Sequence, residues 1–221
     1  MTKFGIVFLV TLVGPAVLAM ARSPSEESKR LAPGVAANRR LTQLVSGPLL
    51  LLLLAIAVTI LFIQPLLTAH YVVGFLLIPP LMLKLATTGY RFGRYYTGSL
   101  RYRLAGAPPL LLRLSAPILV ISTIAVFVSG VELWLFGLRF GTWWMPVHAA
   151  TAVLMMLSAG VHLIGHFRQS AVALLEEFAR EDSNGALSRR SLVVGSLVMG
   201  AVLAFASLFY PTPFPPTAAG P

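Results

Sequence analysis

The chain has 221 residues, 57% of them hydrophobic and 11% charged, with a mean hydropathy of +0.84. A soluble domain carries roughly 25% charged residues, so this much apolar surface has no place in one water-soluble core. Cysteine is absent, which excludes disulfides, thiolate metal sites, iron–sulfur clusters and a cysteine nucleophile. The 17 Lys+Arg against 7 Asp+Glu sit in short gaps between apolar runs, a pattern of membrane topology rather than of nucleic-acid binding.

Crossing a hydrocarbon core about 30 Å thick takes about 18 to 25 apolar residues in a helix. Six segments are predicted as spans, five comfortably and one marginally: Phe4 to Ala21, Val45 to Ile63, His70 to Gly89, Pro109 to Phe136, Met145 to Phe167 and Leu192 to Tyr210. Lipid offers the backbone no hydrogen-bond partners, so helices are the expected form, and no ten-residue alternation suggests a barrel. The expected fold is therefore all-α, a polytopic transmembrane helical bundle.

The first segment has two readings. Lys3, the apolar run Phe4 to Leu18 and Ala19-Met20-Ala21 imitate a cleavable secretory signal. If the segment is retained with its amino terminus outside, the inner connections hold 15 of the 17 basic residues and only Lys3 and Arg139 fall outside. That asymmetry favours a retained helix and sets the orientation of the later spans. Residues 22–44 then form a cytoplasmic polar loop, with Ser23 to Val35 lacking helical periodicity, and residues 45–210 form one bundle. Gln169 to Asp182 reads as an amphipathic continuation of the fifth span along the inner surface, ended by Ser183-Asn184-Gly185. The proline-rich tail, residues 211–221, is expected outside, extended and unpacked.

The chemistry rests on four histidines, His70, His148, His162 and His166, all within or at the edge of a predicted span, where ionisable groups are rare unless they have a role. His70 opens the third span and His148 the fifth, and both spans run from outside to inside. The two imidazoles are thus expected at matched depth near the outer face. Two neutral imidazoles facing each other complete a six-coordinate haem iron, whose porphyrin supplies the other four nitrogens. His162 lies 14 residues and His166 18 residues beyond His148, about four and five turns, so all three share one face. Fourteen residues also rise about 21 Å, the spacing of two stacked haems in a bundle. The position fourteen after His70 is Lys84 rather than histidine, so an inner haem would need Lys84 or Met82 as its second ligand. His166, beside Arg168, reads better as a headgroup or interhelical hydrogen-bonding residue, and His162 is open between the two roles.

Other features are ambiguous. Gly74, Ala149, Ala152, Ala159 and Gly160 would let a macrocycle approach, and serve equally as helix-packing residues. Pro79-Pro80 in the third span removes two backbone donors and should bend or open the helix. Glu132, the only acid deep in a span, can pair with Arg139, accept a quinol proton or reach the interface, the last being favoured. Tyr90 to Tyr96 mixes aromatic and cationic residues and reads mostly as an interfacial anchor, while Arg91 and Arg94 would hold propionates if an inner haem exists. No Walker, H-E-x-x-H or G-x-S-x-G element is present, so hydrolytic and nucleotide-driven chemistry lack support.

The stretches His70-Tyr71-Val72-Val73-Gly74, Lys84 to Gly98, Ala107-Pro108-Pro109, His148 and His162-Leu163-Ile164-Gly165-His166 resemble the cytochrome b-like membrane domains of bacteria. The likeness is to those fused or partnered to sulfite-oxidase-type molybdopterin oxidoreductases, and it spans Val45 to Phe167. It implies a four-helix haem b core plus peripheral helices, passing electrons between the quinone pool and an extracytoplasmic partner. His70, His148 and His162 match family histidines; relatives with two haems have histidine where this chain has Lys84. The sequence thus leads to an inner (cytoplasmic) membrane, multi-pass protein in contact with lipid, with His70 and His148 on one haem b. A haem-free anchor or assembly subunit is the alternative, and a small transporter, with Pro79-Pro80 as a broken helix and Glu132 as a coupling site, is a third.

Overall fold

The computed structural model describes residues 31–106, 110–179 and 185–213, with the side chains of Leu111 and of residues 164–179 left undescribed. The described residues form six helices and no strand: α1 Pro33–Leu61, α2 Ile63–Tyr96, α3 Leu100–Leu104, α4 Leu110–Phe136, α5 Trp144–Ala179 and α6 Ala186–Ser207. All but α3 are long and apolar enough to cross a membrane. The chain is an all-helical, multi-pass membrane protein with five such helices among the described residues. The expected span Phe4 to Ala21 lies outside them.

The predicted spans fall on these helices with shifted ends. The largest shift is at α1, which begins at Pro33 with proline in its first turn. Residues 33–44, expected in the polar loop, are therefore helical. Proline suits a helix start because the missing N–H has no intrahelical partner there, and Asn38, Thr42 and Ser46 then follow at four-residue intervals on one face. Their hydroxyls are satisfied within the helix, Thr42 Oγ1 donating to the Asn38 carbonyl at 2.8 Å and Ser46 Oγ to the Thr42 carbonyl at 2.9 Å. Polar residues read as loop are here the polar stripe of a helix.

Helix α2 stays helical through Pro79-Pro80, and its one departure from helical dihedrals is at Leu66 (φ −109°, ψ 18°). The expected opening at the proline pair is not there. The two missing donors would have bonded the carbonyls of Phe75 and Leu76, four residues back. Against the Leu76 carbonyl packs the backbone of Gly200 from α6, so close that a Cβ at Gly200 would fall on that oxygen. Pro80 is itself buried. A neighbouring helix, rather than an open break, covers the place where the ladder is interrupted.

Helices α1, α2, α4 and α5 form a four-helix arrangement in which α1 packs on α2 and α5, and α4 packs on α5. The α2 and α4 sides touch only slightly, so α2 stands diagonally across from α5. Helix α6 lies outside the four, mainly against α2. The core joins Leu44, Val45, Leu49, Ile56 and Ala57 of α1 to Leu77, Val126, Met155, Met156 and Val193. Leu51, Ile121, Val194 and Val202 are exposed and form the lipid-facing surface of such a bundle. On α4 the buried face includes Ser122 and Ser129, whose hydroxyls return to the Ile118 and Ala125 carbonyls at 2.7 Å each. Small, internally satisfied side chains let α5 approach closely.

The tail is not wholly unpacked as expected. Tyr210 Oη donates to the Leu135 carbonyl and Thr212 Oγ1 to the Trp134 carbonyl, both at 3.0 Å, and the Tyr210 and Trp134 rings lie 4.5 Å apart. The last turn of α4 thus holds the start of the tail, because its final carbonyls have no intrahelical donors. Residues 214–221 are outside the described part.

Candidate functional site

Two imidazoles meet inside the bundle. His70 of α2 and His148 of α5, from diagonally opposed helices, have ring centroids 6.3 Å apart and ring planes at 87°. The remaining two helices hold them. Thr59 of α1 lies 2.9 Å from His70 Nδ1, while Ser129 Oγ and the Val126 carbonyl of α4 lie 3.1 and 3.0 Å from His148 Nδ1. Each of the four helices thus supplies one part of a single layer.

The hydrogen-bond network assigns the tautomers. A carbonyl only accepts, so the contact of His148 Nδ1 with Val126 O puts the proton on Nδ1. Thr59 donates its own hydroxyl proton to the Ile56 carbonyl at 2.7 Å, which leaves it as acceptor toward His70 and puts the His70 proton on Nδ1 as well. Among the described residues, Nε2 of neither ring has a hydrogen-bond partner, so both lone pairs are available. This is the arrangement of metal-ligating histidines, whose second nitrogen donates to a protein acceptor that fixes ring orientation.

The ring centroids are 6.3 Å apart with the planes nearly perpendicular, a separation within ordinary edge-to-face packing, and it is the common tautomer with the unused Nε2 atoms that suits the pair to a metal. Among the described residues no group of three or more His, Asp or Glu could hold a bare metal ion. Two imidazoles therefore suit a metal that arrives with its other ligands, as in a porphyrin.

A second polar layer lies about 21 Å along the helices, at the 14-residue step from His70 to Lys84 and from His148 to His162. His162 Nδ1 donates to the Ser158 carbonyl one turn back, at 3.1 Å, and so has the same tautomer as the other two. Lys84 is committed elsewhere, its Nζ donating to the Thr42 carbonyl at 2.7 Å and to Ser46 Oγ. Asn38 Nδ2 donates to the Thr87 carbonyl at 3.1 Å on the same α1–α2 contact. Met82, the other proposed inner ligand, is 59% exposed and lies on the outside of the bundle. His162 also hydrogen-bonds the backbone of Leu112 on α4, so the layer presents one imidazole already engaged by two backbone carbonyls and no ready second ligand.

Arg91 and Arg94 lie 7 and 10 residues beyond Lys84 on the same helix, about 10 to 15 Å past the second layer, where the inner haem they were expected to serve has no ready ligand pair. They sit at the end of α2 beside α3, where the Tyr90 and Tyr102 rings are 5.9 Å apart in an edge-to-face contact. Nearby, the Arg113 guanidinium covers the Tyr96 ring at 5.5 Å. These contacts fit the anchoring role. The His166 side chain lies outside the described part.

Glu132 corrects an expectation. Its two carboxylate oxygens are buried without a hydrogen-bond partner among the described residues, so it neither reaches the interface nor pairs with Arg139, which covers the Phe140 ring at 5.8 Å. Thr59 and Ser129, which orient the histidines, were not singled out in the sequence. Hydroxyl residues are common in apolar helices, and no local signal marks one as the partner of a histidine on another helix. No protein-family model, no curated protein and no solved structure matches the chain.

Proposed function

We propose that the chain is a b-type haem subunit of the inner (cytoplasmic) membrane, in which His70 and His148 would hold one haem. It carries electrons between the quinone pool and a redox partner on the extracytoplasmic side. The observation that carries the reading is the pair of imidazoles from opposed helices, both fixed in the tautomer that leaves Nε2 free. When bound, the haem supplies a one-electron couple between ferric and ferrous iron. The residues of the chain hold and tune it. Thr59 and the Val126 carbonyl orient the rings and raise the basicity of Nε2, and the surrounding apolar helices keep water from the site. The resemblance to cytochrome b-like domains partnered with sulfite-oxidase-type molybdopterin oxidoreductases supports that class of partner. One haem is favoured over two because the amine of Lys84 is already used between α1 and α2.

The test is an absorption spectrum of the detergent-purified protein, oxidised and then dithionite-reduced, with stoichiometry from the pyridine haemochrome. A b-type spectrum near one haem per chain, lost in His70→Ala and in His148→Ala, is expected. Full haem content in His148→Ala would refute the ligand assignment. No haem from cells supplied with precursor would leave the histidine pair as an interhelical contact in a membrane anchor.

A further inference from the structure

Helix α3, Leu100–Leu104, rests mainly on the end of α2. Gly98, with φ +87°, turns the chain back after α2 in a backbone conformation that residues with a Cβ rarely adopt. At about 100° per residue, Leu100 and Leu104 share one face of α3, Arg101 and Arg103 flank it on either side, and Tyr102 lies opposite. Packing fixes where these faces point. Tyr102 is buried, its ring against that of Tyr90 and its hydroxyl hydrogen-bonded to the Tyr90 side chain. Leu100 and Leu104 are left 69% and 78% exposed, with both arginines exposed beside them. Tyr90 directly follows the apolar stretch His70 to Gly89, so its contact with Tyr102 holds α3 level with the edge of the hydrocarbon, in the layer that aromatic belts mark. Arg94, on the last turn of α2, is exposed and near enough to Tyr102 for its charge to act on the phenol. Among the described side chains the only carboxylate is that of Glu132, towards the other end of α4.

The occupant of this face must cover two leucines and meet an excess of positive charge. Water leaves the leucines exposed. A free phosphate would pair with the guanidiniums and leave the leucines uncovered, and a zwitterionic lipid would cover the leucines but bring a cation with its phosphate. An acidic phospholipid supplies acyl chains and an uncompensated phosphate at this same depth. We infer that α3 is an interfacial helix that binds an acidic phospholipid, with the Leu100 and Leu104 face against the acyl chains and Arg94, Arg101 and Arg103 around the headgroup phosphate. The inference depends on the chain being a membrane protein and is independent of the haem reading.

The test is native mass spectrometry of the delipidated full chain in detergent, titrated separately with phosphatidylglycerol and with phosphatidylcholine of the same acyl chains. The first phosphatidylglycerol should bind about fivefold more tightly than the first phosphatidylcholine. Arg101→Gln with Arg103→Gln should remove most of that preference. Leu100→Ser with Leu104→Ser leaves the charge unchanged and should weaken binding of the first lipid several-fold. Because the chain has no cysteine, a nitroxide on Leu104→Cys in phosphatidylglycerol–phosphatidylcholine proteoliposomes reports on this face alone, and its relaxation should respond to oxygen more than to a water-soluble nickel chelate. Absence of a preference in the unaltered chain would overturn the inference. So would unchanged first-lipid affinity in either double variant at unchanged helical content and melting temperature, the arginine result alone then being a general effect of charge. A nitroxide that responds more to the nickel chelate, or to neither reagent, would place water or a protein partner on the face and overturn it as well.

Discussion

The contact of Gly200 with α2 gives a stability prediction whose size follows from the geometry. A Cβ added at Gly200 would fall on the Leu76 carbonyl oxygen and lie 3.1 Å from the Leu76 carbonyl carbon and 3.2 Å from Leu76 Cδ1. The obstacle is backbone, which no rotamer change removes. An ordinary C···O contact is about 3.3 to 3.6 Å, so α6 must move away from α2 by about 1 Å or tilt about this point. Inserting a methylene into packed structure costs about 1 to 3 kcal/mol, and a rigid partner places Gly200→Ala near the upper end. The buried residues Ala186, Arg189, Val193, Ala204 and Ser207 lie on the same helix, so displacement at the crossing loosens contacts on either side. The control is Gly195→Ala on the same helix, where an added Cβ meets nothing within 4 Å. There alanine should be neutral or stabilising by up to about 1 kcal/mol, because glycine loses more backbone entropy in a helix. For a chain of this size about 3 kcal/mol corresponds to a fall of roughly 6 to 12 °C in Tm. Thermal unfolding of the two purified variants in the same detergent, followed by circular dichroism, measures the difference. Equal melting temperatures for Gly200→Ala and Gly195→Ala would refute the account of how α6 covers the proline pair.

Three further outcomes follow from other contacts. Thr59→Val removes the acceptor of His70 Nδ1–H while keeping the side-chain shape, and should lower haem affinity about 10- to 100-fold; haem transfer to an excess of apomyoglobin reads the loss, and unchanged retention would show that the bond does not support the ligand. Lys84→Met should leave haem content and spectrum unchanged, since the amine is used on Thr42 and Ser46; loss of half the haem would instead make Lys84 a ligand. Tyr210→Phe with Thr212→Ala removes two hydrogen bonds to the end of α4, worth about 1 kcal/mol each, and should speed limited proteolysis of the carboxy-terminal tail several-fold without a comparable fall in Tm.

Much of the architecture is local and therefore legible. Val45 to Ile63 and Pro109 to Phe136 are apolar over enough length that no packing information is needed to read them as helices in lipid. The 14- and 18-residue steps from His148 to His162 and His166 set a shared helix face through the 3.6-residue period alone. The start of α1 was harder because residues 33–44 mix proline, glycine and polar residues, and only the side of α2 that carries Lys84 and Thr87 makes their polar stripe useful. The proline pair departs from its local expectation for a related reason. The missing donors were visible at Pro79-Pro80, but their consequence depended on Gly200, more than a hundred residues later in the chain.

The sequence by itself determined that this is a helical membrane protein and placed its histidines at matching ends of two spans, because hydropathy and helical period are properties of neighbours along the chain. The tertiary structure decided which histidines meet and what each polar side chain does. It set α2 diagonally across from α5, so that His70 and His148 face one another, and it brought Thr59 and Val126 to their Nδ1 atoms. It gave Lys84 to α1 and left Glu132 buried beside an open apolar groove. These outcomes depend on helix adjacency, which arises from the fit of whole helix faces and from small residues such as Gly200 and Ser129, and no stretch of the chain encodes that fit alone.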